Sequence, residues 1–152
     1  FNDVSDWSQT IKSSSISTVQ SVDFLLPDKL GKVSLIELYD DKAKSFVSSL
    51  LSNMRPQKIV VEQNSQITFQ CVHNNPKCLP EFRQKSRPLK KVLQELAIPP
   101  WLRKRQVFIY VDEQFAGVLG HFICRPFLDK TVSDESMSID NHKILLLEHV
   151  VD

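Results

Sequence analysis

Only three glycines occur among 152 residues, and Gly31, Gly117 and Gly120 never fall in a GxGxxG or GxxxxGK[ST] setting. A backbone cradle for nucleotide phosphates is therefore missing. HExxH and GxSxG are missing as well, and no pair of carboxylates has a catalytic spacing. His73 and His121 have no neighbouring nucleophile other than cysteines that read as buried, so a Cys/His dyad is not expected. The three cysteines, Cys71, Cys78 and Cys124, are odd in number and unpatterned, which argues against a disulfide framework and for a reducing compartment, the cytoplasm by default. Together with His73 and His121 they could supply a mixed zinc shell, but the tight CxxC knuckle of a structural site is missing and no metal is expected. No apolar run approaches the ~18 residues of a membrane span, and no signal segment opens the chain. The composition reads as a binder rather than a catalyst.

What is abundant is positive charge in one place. Between Lys77 and Arg105 stand nine cations and two anions, Glu81 and Glu95, a local +7 in a chain whose total is +1, so the remainder carries −6. A concentrated cationic face on an acidic body is the footprint of a domain that meets a polyanion, most often nucleic acid. The plainer reading of the same residues is a solvated helix face with basic flanks.

The length suits one domain with its own core plus a tail. Residues 1–21, rich in Ser and Thr, read as a linker entering the domain, 22–152 as the domain itself, and the opening Phe1 suggests a fragment of a longer protein. Alternation over Val22, Phe24 and Leu26, a turn from Pro27 to Gly31, and Val33 with Leu35 predict a strand–turn–strand unit. Ala43, Phe46, Val47, Leu50 and Leu51 predict an amphipathic helix over 40–53. Ile59 and Val61, then Ile67, Phe69 and Cys71, predict a hairpin about Gln63-Asn64. Leu89, Val92, Leu93 and Leu96 form the clearest helical stripe, with Ser86 as its cap and Pro99-Pro100 as its end. Trp101 and Leu102 are expected to seal that helix end, because apolar neighbours favour a core anchor over an indole that stacks on a base. A further hairpin spans Val107 to Cys124, with Gly117 and Gly120 suited to a bulge or a close backbone approach, and Ile144 to Val151 reads as a last strand. The fold class expected is α+β, a mainly antiparallel sheet of hairpins with two amphipathic helices.

These residues also make a recognisable sentence: Lys77-Cys78-Leu79-Pro80, Arg83, Ser86-Arg87-Pro88-Leu89-Lys90-Lys91-Val92-Leu93-Gln94-Glu95, then Ile98-Pro99-Pro100-Trp101-Leu102-Arg103. It closely resembles the C-terminal domain of bacterial tRNA(Ile)-lysidine synthetase, most tightly from Lys77 to Cys124. Phe24-Leu25-Leu26-Pro27 with Leu30-Gly31 is similar to the turn that opens that domain. Departures are Phe82 for a glycine, Asn74-Asn75 for a Gly-Gly pair, Lys77 for an arginine and Lys104 for an acidic residue.

The resemblance implies a parent ligase that uses ATP, with magnesium, to activate the wobble cytidine of an isoleucine tRNA and join lysine to it. Catalysis would belong to an N-terminal domain whose nucleotide loop is not in this sequence, so this stretch alone is expected to be inactive and to carry no cofactor. The implied partners are tRNA(Ile), met near its acceptor end, and the catalytic domain of the same parent. Pairing of the parent into a homodimer stays open, and no membrane is involved. The basic residues then take a role: Lys77, Arg83, Lys85, Arg87, Lys90, Lys91, Arg103 and Arg105 on phosphates or 2′-hydroxyls, and Ser86 at an anion site on the helix N-terminus. The competing reading is an interaction module whose basic face docks on the catalytic domain or on a second subunit.

Overall fold

The computed structural model describes residues 7–17, 19–27, 30–38, 57–80, 84–103, 106–127 and 142–150. The helix expected over 40–53 lies outside these residues, as do Phe82, Arg83, Lys104, Arg105 and the net acidic stretch 129–141.

Two antiparallel sheets form the body. One runs β1 (Ser8–Lys12), β5 (Gln66–Gln70), β8 (Phe108–Val111), β9 (Gln114–Val118), β10 (Phe122–Ile123). The other runs β2 (Val22–Leu25), β3 (Lys32–Leu38), β11 (His142–Val150), β4 (Gln57–Glu62). Every strand pairing among the described residues is antiparallel. The sheets share one core, where Phe24 of β2 meets Phe69 of β5 with ring centroids 5.0 Å apart. Consecutive burial of Leu145, Leu146 and Leu147 shows that β11 is covered on both faces, and each such leucine contributes about 1.5–3 kcal/mol by leaving water.

The period-two readings of β2–β3 and of β8–β9 hold. Asp112 and Glu113, both at positive φ (48° and 72°), make the two-residue turn between Val111 and Gln114. In β9 the register steps from Gly117 opposite Ile109 to Phe115 opposite Tyr110, so Ala116 is the extra residue of a bulge. Gly117 also allows the close approach expected of it, since a Cβ there would lie 2.4 Å from the carbonyl oxygen of Phe122.

Two expectations fail. The proposed hairpin of Ile59–Val61 with Ile67–Cys71 does not form, because β4 pairs with β11 while β5 pairs with β1 and β8. Ile59, Val60 and Val61 are all buried, a pattern that a strand with one wet face cannot supply. Ser13 braces the turn between the two strands: its Oγ shares its proton between the carbonyls of Glu62 and Gln63, both at 2.8 Å, and accepts from the Ser65 N–H at 2.9 Å. The stretch 1–21, expected as a linker, is in part structured, with Ser8–Lys12 paired in register to β5 and Ile16 fully buried. Backbone pairing rather than apolar alternation holds β1, which buries only Ile11.

Lys143 completes the body. Buried on β11, its Nζ donates to the carbonyls of Ser13 and Ile16, both at 2.8 Å, and stands 3.7 Å from Glu37. One ammonium thus ties the turn after β1 to the four-stranded sheet.

Residues 73–80 and 84–103 form an arm packed on this body through Cys78, Leu89, Val92, Leu93 and Ile98. A two-stranded ribbon, β6 (Lys77–Cys78) with β7 (Arg87–Pro88), runs directly into α1 (Leu89–Glu95), and the single turn α2 (Pro100–Arg103) follows. Helix α1 buries Leu89, Val92 and Leu93, with Leu96 packed against the core, as its stripe predicts. No helix among the described residues is long and apolar enough to cross a membrane.

Candidate functional site

The junction of ribbon and helix carries the described part of the basic cluster. Lys77, Lys85, Ser86, Arg87, Lys90 and Lys91 are all exposed. Lys91 and Glu95 lie four residues apart on one face of α1, and Arg87, from the strand before the helix, reaches Glu95 Oε1 with its Nη1 at 2.7 Å. Lys90 sits on the adjoining stripe, beside His73. Arg103 lies on α2, apart from the junction in sequence, while Arg83 and Arg105 are outside the described residues.

Among the described residues no salt bridge involves Lys77, Lys85, Lys90 or Lys91. Among the described residues the Arg87–Glu95 bridge neutralises part of the cluster, and a half-exposed pair of this kind contributes about 1 kcal/mol or less. A phosphate oxygen offering Arg87 a comparable contact can displace it without large cost.

The helix start differs from the sequence reading. Ser86 does not cap α1: the cap position is Pro88, and no side chain there accepts a bond. Proline fixes φ near the helical value but has no polar side chain to offer the first turn's amides. The first amides are satisfied from the loop before β6 instead. Leu89 N–H donates to the Pro76 carbonyl at 2.8 Å, and Lys90 N–H to Asn75 Oδ1 at 2.9 Å. The N–H groups of Leu89 and Lys90 are thus occupied within the chain, and Ser86 is an exposed hydroxyl beside the cations.

Asn75 can do this because it adopts φ +54°, a conformation that asparagine tolerates where the resembling family uses glycine. His73 fixes the turn by accepting the Asn75 N–H on Nδ1 at 2.9 Å, so Nδ1 is unprotonated and the neutral ring carries its proton on Nε2. The ring packs edge-on against Phe108 at 4.8 Å. Burial first, and the Lys90 ammonium second, hold His73 below its ordinary pKa. Neither the zinc-shell reading of His73 nor the Gly-Gly departure at Asn75 foretold this role, since Lys90, which Asn75 serves, is fifteen positions further on.

Beneath the ribbon, the buried thiols of Cys78 and Cys124 hydrogen-bond one another, which pushes Cys124 up and draws Cys78 down. Backbone links run beside them, from Arg125 N–H to the Leu79 carbonyl at 2.9 Å and across the Pro80–Cys124 bridge. The basic ribbon is thereby fastened to the end of β10.

The far end of α1 closes with a left-handed residue. Ala97 sits at φ +57°, its N–H bonds Gln94 O, and Ile98 N–H bonds Leu93 O at 3.3 Å. This is the Schellman arrangement with alanine in the glycine position. Trp101 does not anchor the turn that follows: it is 73% exposed, and Leu102 is 43% exposed. Ile98, buried at 6%, fills the core position in its place.

A fixed group of exposed cations with an exposed indole further along the chain is chemically suited to phosphates and a π-face, and it lies inside the segment that comparison with known proteins identifies. Residues 66–139 match the family described as the TilS substrate C-terminal domain. The chain is 30% identical over 116 residues to the tRNA(Ile)-lysidine synthase of Shewanella woodyi, covering 66% of this chain and 24% of that protein. To the synthase of the same name from Serratia proteamaculans it is 54% identical over 41 residues, 27% of this chain and 9% of that protein. To that of Legionella pneumophila it is 31% identical over 93 residues, 60% of this chain and 21% of that protein. The chain thus spans a quarter or less of the length of these relatives, and its similarity to the TilS substrate C-terminal domain family lies in residues 66–139.

Proposed function

We propose that this chain is the tRNA-recognising C-terminal part of an ATP-dependent tRNA(Ile)-lysidine synthase, gripping the acceptor region of its tRNA through the cationic face of the arm. The observation that carries this reading is the exposed set Lys77, Lys85, Arg87, Lys90 and Lys91, placed at one ribbon–helix junction within the family segment. Arg83, Arg103 and Arg105 belong to the same site in this proposal, with Ser86 as a hydroxyl donor. Contacts of this kind read the shape and backbone of a folded RNA stem rather than its base sequence. The ribbon is held by the Cys78–Cys124 contact and the helix start by Asn75, so the cations are presented with little ordering left to do on binding.

In this reading ATP, magnesium and the cytidine chemistry belong to a separate catalytic domain of the parent, tRNA(Ile) is the partner, and the cytoplasm is the location. The test is a mobility shift and ribonuclease footprint of the 152-residue chain on tRNA(Ile), run beside size exclusion without RNA. Retardation with protection confined to the acceptor stem is the expected result. No retardation, together with self-association on the column, would favour the docking-module reading instead.

A further inference from the structure

Trp101 has more water around it than a large aromatic residue ordinarily retains, at 73% exposure, with Leu102 beside it at 43%. Its backbone is firmly set. Pro99 and Pro100 restrict the approach, Leu102 N–H donates to the Pro99 carbonyl at 2.9 Å, and Gln106 Nε2 donates to the Leu102 carbonyl at 3.0 Å. Gln106 is itself held through Oε1 by His121 Nε2 at 2.9 Å. An indole standing out from a braced turn, with Arg103, Lys104 and Arg105 next in the chain, combines a flat apolar surface with cations. That pairing is complementary to a nucleotide, whose base offers a π-face and whose phosphate offers charge.

Resting on the RNA reading above, we infer that Trp101 is a stacking platform for an unpaired nucleobase that flanks the paired stem held by the basic face. Inside a stem the base faces are covered by the stack, so an unpaired base offers the indole an open face that an interior pair does not. The lysines and arginines then supply grip on the stem, and Trp101 supplies preference for a stem with a single-stranded extension over a blunt one. Stacking tolerates any base, so the preference is for the extension and not for its sequence.

The test uses the 152-residue chain, a blunt RNA hairpin and the same hairpin with a four-nucleotide 3′ extension, with wild type, Trp101→Ala, Trp101→Phe and the Lys90→Ala/Lys91→Ala double variant. Wild type should favour the extended hairpin, Trp101→Ala should weaken that binding by about ten-fold while changing blunt binding less than about two-fold, and Trp101→Phe should retain most of the preference. The indole fluorescence of wild type should be quenched by the extended hairpin alone. Trp7, the other tryptophan, packs on Phe24 in the body, and the Trp101→Phe variant reports its share of the signal. Equal affinity of wild type for both hairpins, or equal loss on both in Trp101→Ala, overturns the inference while leaving the basic-face reading in place. Failure of wild type to bind either RNA overturns both, and a double-lysine variant that loses nothing on either hairpin overturns the basic-face reading alone.

Discussion

In the body Lys143 is 8% exposed, and its ammonium is bonded to the carbonyls of Ser13 and Ile16 with Glu37 near by. In the arm Lys77, Lys85, Lys90 and Lys91 are exposed, and no described carboxylate pairs with them. The same residue type therefore does two jobs in one chain. A buried lysine must have its donors satisfied where it stands, and it acts as a structural tie. An exposed lysine keeps its water shell and gives the fold almost nothing, so a cluster of exposed lysines calls for a reason outside folding.

The comparison breaks most readily at Lys143. Replacing it by methionine leaves the Ser13 and Ile16 carbonyls without their donor in a buried setting, and the chain should lose about 3 kcal/mol in denaturant unfolding. RNA affinity measured under folding conditions should not change. In the arm the largest stability effect runs the other way. Ala97→Gly relieves a left-handed alanine at the end of α1 and should stabilise by about 0.5–1 kcal/mol, read as a higher unfolding midpoint at unchanged slope.

The smallest effect concerns pH at the junction of the two regions. His73 is held neutral in the fold, so the unfolded chain takes up a proton first as pH falls. Stability from the neutral ring is therefore complete above the ordinary histidine value of 6.5 and drains away below it, toward the lower value of the folded state. Partial exposure of the ring limits the loss to under about 1 kcal/mol. His73→Asn, which keeps an acceptor for the Asn75 N–H but does not titrate, should lose less stability than wild type between pH 8 and pH 5. A wild type and variant that fall equally would place the pH response elsewhere.

Much of this contrast was legible in the residues. The α1 stripe, the β2–β3 and β8–β9 hairpins and the charge block are local patterns, and local patterns survive folding. What was not legible depended on partners far along the chain. Ser13 bonds to Glu62 and Ser65 in a turn some fifty residues away, which no period in 59–71 announces. Asn75 rather than Ser86 serves α1, because the pairing of β6 with β7 brings the earlier loop to the helix start. Trp101 looked like a core residue by its apolar neighbours, but Ile98 already occupies that place. The polar strand Ser8–Lys12 owes its order to backbone pairing, which leaves little trace in composition.

The most direct test of the account is the salt dependence of tRNA(Ile) binding by wild type and by Lys90→Ala/Lys91→Ala. Each phosphate contact should contribute about 0.9 to the slope of log affinity against log salt, so the double variant should bind more weakly and with a slope lower by about two. Its unfolding midpoint should match that of wild type. An unchanged slope with unchanged affinity would mean that the exposed lysines of α1 do not touch RNA, and the account of the arm would be wrong.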